Sequence, residues 1–191
     1  MFARDGSHVW SKRFGGSGSD DVACLDIDDS GNVMLGGSFD DTLDFGGAPL
    51  VSVLSPNLSF PSRDIFVAKL TPAGAHVWSR QLGEPEQAQW VTGLGHDPGG
   101  NILLALGFAG TVDFGGGALT AGQGPAAAVK LDGAGRYVWQ RQLAAPAQAI
   151  GAGMQDERVL VVGAFPAGGG FPGSTATVRG GSDVFLIEYP P

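Results

Sequence analysis

The chain is short of positive charge, of cysteine and of long apolar runs. It has 11 Lys and Arg against 19 Asp and Glu, a formal net charge of −8. Nucleic-acid binding needs a basic footprint to neutralise phosphate, and none is present. Anionic membrane surfaces are disfavoured for the same reason. No stretch approaches the roughly 20 apolar residues of a membrane helix, so membrane insertion is not expected. Cys24 is the single cysteine, which excludes an intrachain disulfide. That suits a reducing compartment without demanding one. Met1 to Gly6 lacks the apolar core and cleavage site of a secretory signal, so an exported form needs a signal already removed or carried by a longer precursor. Helical periodicity is missing throughout.

What the chain does have is glycine, turns and repetition. Thirty-three Gly and 12 Pro sit among 43% hydrophobic residues. This is too apolar for disorder and too rich in Gly for a helical bundle, and it fits short strands joined by tight turns. One phrase returns three times, as Gly6-Ser7-His8-Val9-Trp10, Gly74-Ala75-His76-Val77-Trp78 and Gly135-Arg136-Tyr137-Val138-Trp139. A repeat of about 60 residues, rich in short strands, points to the blades of a β-propeller.

The first full unit reads as four strands, Asp21 to Asp28, Asn32 to Phe39, Asp64 to Leu70 and His76 to Leu82. Asp29-Ser30-Gly31-Asn32 and Thr71-Pro72-Ala73-Gly74 are turns, with Gly available for positive φ. Leu43 to Leu50 reads as a small hairpin or elaborated loop. The second unit gives Gln89 to Asp97, Asn101 to Phe108, Ala126 to Leu131 and Tyr137 to Leu143. The third gives Gln148 to Met154, Arg158 to Phe165 and Asp183 to Tyr189. Asp44-Phe45-Gly46-Gly47 returns as Asp113-Phe114-Gly115-Gly116 and, decayed, as Gly170-Phe171-Pro172-Gly173. Inner strands are apolar on both faces, as expected of sheets held between neighbours.

The string Phe14-Gly15-Gly16-Ser17-Gly18-Ser19-Asp20-Asp21, then Asp28-x-x-Gly31-Asn32-Val33, Gly37, and Asp64-Ile65-Phe66-Val67-Ala68-Lys69-Leu70, resembles the bacterial β-propeller repeats called SBBP. The likeness covers nearly the whole chain. It is weakest in the third unit, where Gln155-Asp156-Glu157-Arg158 replaces the Asp-x-x-Gly-Asn turn. The resemblance implies a blade architecture, common in large exported or surface proteins of bacteria, and therefore an extracellular or cell-surface setting. It implies no catalytic residues.

The expected fold is all-β, one domain over 1–191, a propeller of four-stranded antiparallel blades with three blades per chain. The repeats run approximately over 15–82, 83–143 and 144–189, with a separate N-terminal strand at 8–14. Glu188-Tyr189 and Met1-Phe2 fall on the same repeat positions as Lys69-Leu70, so the third unit lacks its fourth strand and 8–14 is an unattached one. The N-terminal strand is expected to complete the C-terminal blade, in cis or in trans. Rings run from about four to eight blades, so two chains giving six blades is the preferred reading. The rival is a piece of a longer propeller completed by other segments, and a three-bladed monomeric ring ranks last.

Candidate sites are weighed against structural roles. His8 and His76 share one repeat position, where the third copy has Tyr137, and read as packing residues. His96, beside the turn Asp97-Pro98-Gly99-Gly100, reads as a surface residue with no identifiable partner. Asp26-x-Asp28-x-Ser30-Gly31 opens like a calcium loop, but its twelfth position is Gly37, which supplies no closing carboxylate. A turn is the stronger reading. Asp20, Asp21, Gln87, Gln89 and Gln148 are placed to face a central channel. Trp10, Trp78 and Trp139 read as anchors on the next blade, with sugar stacking as the competing role. Trp90 is the one non-recurrent Trp. Cys24 lies in an apolar strand and reads as an inert thiol. Gly168-Gly169-Gly170 has no following helix or Lys and is no phosphate loop. No catalytic residue, metal or cofactor is assigned. The leading functional expectation is a non-catalytic structural or interaction module, a homo-oligomer with a dimer preferred. The runner-up is a glycan-binding lectin with one carbohydrate site per blade, and a hydrolase or lyase at the channel comes last.

Overall fold

The computed structural model describes residues 1–52, 63–84, 87–121, 126–143, 148–155, 158–166 and 181–189. The decayed motif at Gly170 to Gly173, the Gly168-Gly169-Gly170 stretch and Asp156-Glu157 lie outside these residues. The regular structure is antiparallel strand. The first sheet is built from β1 (Asp20–Ile27) and β2 (Val33–Phe39), then, after a side hairpin of β3 (Thr42–Leu43) and β4 (Leu50–Val51), β5 (Asp64–Leu70) and β6 (His76–Leu82), in the order β1-β2-β5-β6. The second repeats the plan. It has β7 (Gln89–His96), β8 (Ile102–Phe108), the side hairpin β9 (Thr111–Asp113) and β10 (Ala118–Thr120), β11 (Ala126–Leu131) and β12 (Tyr137–Leu143). The third is β13 (Gln148–Gln155), β14 (Arg158–Pro166) and β15 (Ser182–Tyr189), three strands in sequential order. Each first strand carries an irregularity at the same place, between Val22 and Cys24, Val91 and Gly93, and Ala149 and Gly151. The repeat is therefore structural to the level of single residues.

The sheets stack in series, because their middle strands have no polar face. β5 and β8 are buried at every residue. Met34, Ile65 and Val67 of the first sheet form one cluster with Val91, Leu94, Leu104 and Val129 of the second. On the far side of the second sheet, Leu103, Ala105, Ala126 and Ala128 are fully buried, and β13 packs there.

The side hairpins explain the Asp-Phe-Gly-Gly motif. Asp44 Oδ1 accepts the Gly46 N–H at 2.6 Å, and Asp113 Oδ1 accepts that of Gly115 at 2.7 Å. Phe45 stacks on Phe66 and Phe14, and Phe114 meets Phe108 edge-on. A side chain at Gly47 would overlap the His76 ring, and one at Gly116 the Tyr137 ring. The second glycine is thus the seat for the aromatic ring that opens the fourth strand.

Each of the first two units also holds a buried ion pair. Asp28 closes its turn by accepting N–H groups of Ser30 and Asn32 at 3.0 and 2.8 Å and the Asn32 amide at 2.9 Å. Lys69 Nζ lies 2.8 Å from Oδ2, the oxygen that accepts the Asn32 amide. In the second unit Asp97, Asn101 and Lys130 stand in the same roles, with Lys130 3.3 Å from Asp97. Burial pushes the Asp28 carboxyl up, but Lys69 and Asn32 together outweigh it and hold the group well below its ordinary range. The third unit has Gln155 and Glu188 at these positions and cannot form the pair.

Of the two closures expected for residues 8–14, in cis or in trans, the single chain does not show the cis one, and its third sheet has three strands among the described residues. Met1 to Trp10 instead fold into a small hairpin, with a bridge between Phe2 and His8, beside the first sheet. The segment's contacts go to the first sheet, where Trp10 Nε1 donates to the Pro72 carbonyl and Lys12 Nζ to the Gly74 carbonyl.

Removing one partner of a buried pair leaves an uncompensated charge. Asp28→Ala is expected to lower unfolding free energy by about 3–5 kcal/mol in denaturant titrations, with Lys69→Met costing less. Because the folded-state pKa of Asp28 is depressed, its contribution is present above the ordinary 3.8 and is lost as pH falls below it. An Asp28→Ala protein as stable as wild type at neutral pH would count against this role.

Candidate interaction faces

Trp78 lies half-buried on β6, at the outer edge of the first sheet, and reaches across to the second. Its indole N–H donates to the Gly133 carbonyl at 3.0 Å. That carbonyl belongs to the turn Asp132 to Gly135, which closes with a Gly135 N–H to Asp132 C=O bond of 2.8 Å. Gly135 has φ of 74°, and a Cβ there would sit 3.0 Å from the Trp78 ring. Trp10 makes the same contact one unit earlier. Its N–H donates to the Pro72 carbonyl at 2.9 Å, and a Cβ on Gly74 would sit 2.9 Å from its ring. Lys12 Nζ donates to Gly74 C=O at 2.8 Å. The N-terminal segment thus occupies, against the first sheet, the place that β6 occupies against the second. The anchor role fits the geometry of Trp10 and Trp78, because both spend their polar edge and ring face on the neighbouring turn. Trp139, half-buried on β12, makes no hydrogen bond among the described residues.

The ends of the stack differ sharply from its interior. By register, Val22, Leu25 and Ile27 of β1 match Val91, Leu94 and His96 of β7. Val91 is 4% exposed and Leu94 8%, because the first sheet covers them; Val22 is 59% exposed and Leu25 58%. At the other end, Val184 and Leu186 of β15 match Ile65 and Val67 of β5. Ile65 is 0% exposed and Val184 86%. Val162 and Leu186 are exposed on the same face as Val184. The chain therefore presents two apolar faces, one of each kind that its internal interfaces join. Contiguous exposed apolar surface of this sort marks an interaction site.

His96 is corrected from a surface residue without a partner. Its Nδ1 lies 2.7 Å from Asp26 Oδ2 across the interface of the first two sheets, and Nε2 lies 3.8 Å from Asp29. The hydrogen bond to Asp26 raises its pKa above 6.5, against a smaller opposing effect of burial. The carboxylates of the calcium-like stretch diverge, Asp26 to His96 and Asp28 to Lys69 and Asn32. Among the described residues no group of three or more His, Cys, Asp or Glu is placed to hold a metal. Of the residues placed at a channel, Asp20, Gln89 and Gln148 open the three first strands. Asp20 Oδ2 accepts the Gly16 N–H at 3.1 Å, and the buried Gln89 amide donates to the carbonyls of Glu84 and Gln87. Both tie down the segment entering their sheet. Asp21 pairs with Arg63. His8 lies exposed with its ring edge-on to Phe2, while His76 Nε2 is 3.1 Å from Ser79 Oγ. Trp90 is exposed and covers the backbone of its cross-strand partner Gly107. Cys24 faces the first interface, where burial pushes its thiol up to about 11, and its S–H donates to the Gly36 carbonyl at 3.6 Å. The thiol is protonated at neutral pH.

A raised folded-state pKa means that the His96–Asp26 bond stabilises fully below the ordinary 6.5 and fades as pH rises through the folded value. The stability advantage of wild type over His96→Gln is expected to shrink between about pH 6 and pH 8 in paired denaturant titrations. An advantage that is flat or grows over this range would contradict the assignment. No protein-family model matches the chain, and no curated protein matches it.

Proposed function

We propose that the chain is a non-catalytic interaction module, a β-propeller built of repeats resembling SBBP blades, in which two copies complete a six-bladed ring. The observation that carries this reading is the reversal of burial at equivalent positions, Val22 against Val91 and Val184 against Ile65. The face that the third blade exposes is the kind that covers β7 inside the chain, and the first blade exposes the surface that would receive it. Association of this type is heterologous and must close or run on, and two three-bladed chains close at a permitted ring size.

Edge chemistry supports the same joint. Residues Val184 to Ile187 of one copy run opposite Phe14 to Ser11 of the other, by the register of β5 and β6. Asp64 accepts the Gln81 amide at 2.7 Å inside the chain. At the joint the equivalent residues are Asp183 and Arg13, a pair of opposite charge. Pairing also covers the free edge of β15, which otherwise offers unpaired backbone groups. The engagement of Trp10 and Trp78 by the neighbouring turns favours this reading over a lectin with one site per blade.

The expected mass by light scattering is twice the 19.5 kDa of one chain, and Leu186→Asp is expected to return the protein to a single-chain mass. A monodisperse wild-type monomer would overturn the proposal.

A further inference from the structure

The three turns that lead into the Gly-x-His/Tyr-Val-Trp segments are built alike. Gly74 N–H to Thr71 C=O is 2.8 Å, Gly135 N–H to Asp132 C=O is 2.8 Å, and Gly6 N–H to Ala3 C=O is 3.0 Å. A second bond closes each, with Thr71, Asp132 and Ala3 each donating to the residue four positions on at 2.8 Å. The three glycines share positive φ, at 71°, 74° and 83°. Two of the turns seat a tryptophan. The third does not: a Cβ on Gly6 would meet nothing within 4 Å. Among the described residues, one of these three seats is therefore vacant, and Trp139 is the one recurrent tryptophan without a hydrogen-bond partner.

We infer that Trp139 of one copy docks on the Ala3 to Gly6 turn of a second copy and donates its indole N–H to the Arg4 carbonyl. Arg4 holds the turn position of Pro72 and Gly133, the two carbonyls that accept from Trp10 and Trp78. The inference rests on the two-chain reading and adds the contact that joins the chains. The occupant is a second copy because the seat matches, bond for bond, two seats already filled by this chain's own tryptophans. It is also continuous with the exposed faces, since residues 8–14 that follow the turn lie beside β15 in the same joint. A glycine is required at the seat twice over, for positive φ and for room beneath a ring.

The test uses the whole chain. Sedimentation equilibrium would be run on wild type, Trp139→Ala, Gly6→Asn and an equimolar mixture of the two variants. Asn tolerates the left-handed backbone, and its side chain meets open space in the free chain, so Gly6→Asn keeps its fold while blocking the seat. Each variant is expected to weaken dimerisation by about 30-fold or more, the scale of a truncated interface tryptophan. The mixture is expected to dimerise more tightly than either variant alone, because one of its two joints pairs a native Trp139 with a native Gly6. A wild-type dimer that neither variant weakens, or a mixture no tighter than its components, overturns the latch and leaves the two-chain ring standing. A wild-type monomer overturns both.

Discussion

The middle strands of the first two large sheets are apolar on both faces, and the rest of the structure follows from that. A sheet with one polar face can end a protein, whereas a sheet with two must be covered twice. The first and second sheets meet their obligation through Met34, Ile65 and Val67 against Val91 and Leu94. The second and third meet theirs through Leu103, Ala105, Ala126 and Ala128. The stack then stops with Val22 and Leu25 bare at one end and Val184 and Leu186 bare at the other. These surfaces are not failures of packing, since the same positions are closed wherever a neighbour exists.

Secondary contacts convert non-directional apolar packing into a defined offset between sheets. Trp78 on the Gly133 carbonyl fixes the outer edge of one joint, and His96 on Asp26 fixes its inner strand. Within each unit, Asp28 with Lys69, or Asp97 with Lys130, binds the turn of the first hairpin to the third strand. Such pairs act mainly by specifying register, because an isolated buried ion pair adds little net stability over apolar packing. The third unit lacks the residues for this pair and shows three strands among the described residues.

Strand positions were legible because the repeat displays each element more than once. β5, β6, β11 and β12 fall where the apolar runs and turn glycines put them, the other strands of the large sheets differ by one residue at one or both ends, Leu43 to Leu50 read only as a hairpin or loop, and β9 and β10 were not read as strands. The anchoring tryptophans were also readable from recurrence. The His96–Asp26 contact was not, because it joins residues 70 positions apart through an inter-sheet offset that no local pattern encodes. The Asp28–Lys69 pair had a signal that went unused: Asp and Lys recur together in two units and are both replaced in the third, by Gln155 and Glu188. The closure expected of residues 8–14, in cis or in trans, was left open by the sequence, because no local motif says which chain supplies the neighbouring edge.

The most direct test of covered end faces is amide hydrogen exchange on the protein in solution, followed strand by strand. An assembled ring protects the outward amides of β15 and of Ser11 to Phe14 to the degree seen in β5 and β11, which are flanked on both sides. Exchange of β15 at the rate of an open edge, with β5 and β11 protected, would contradict it.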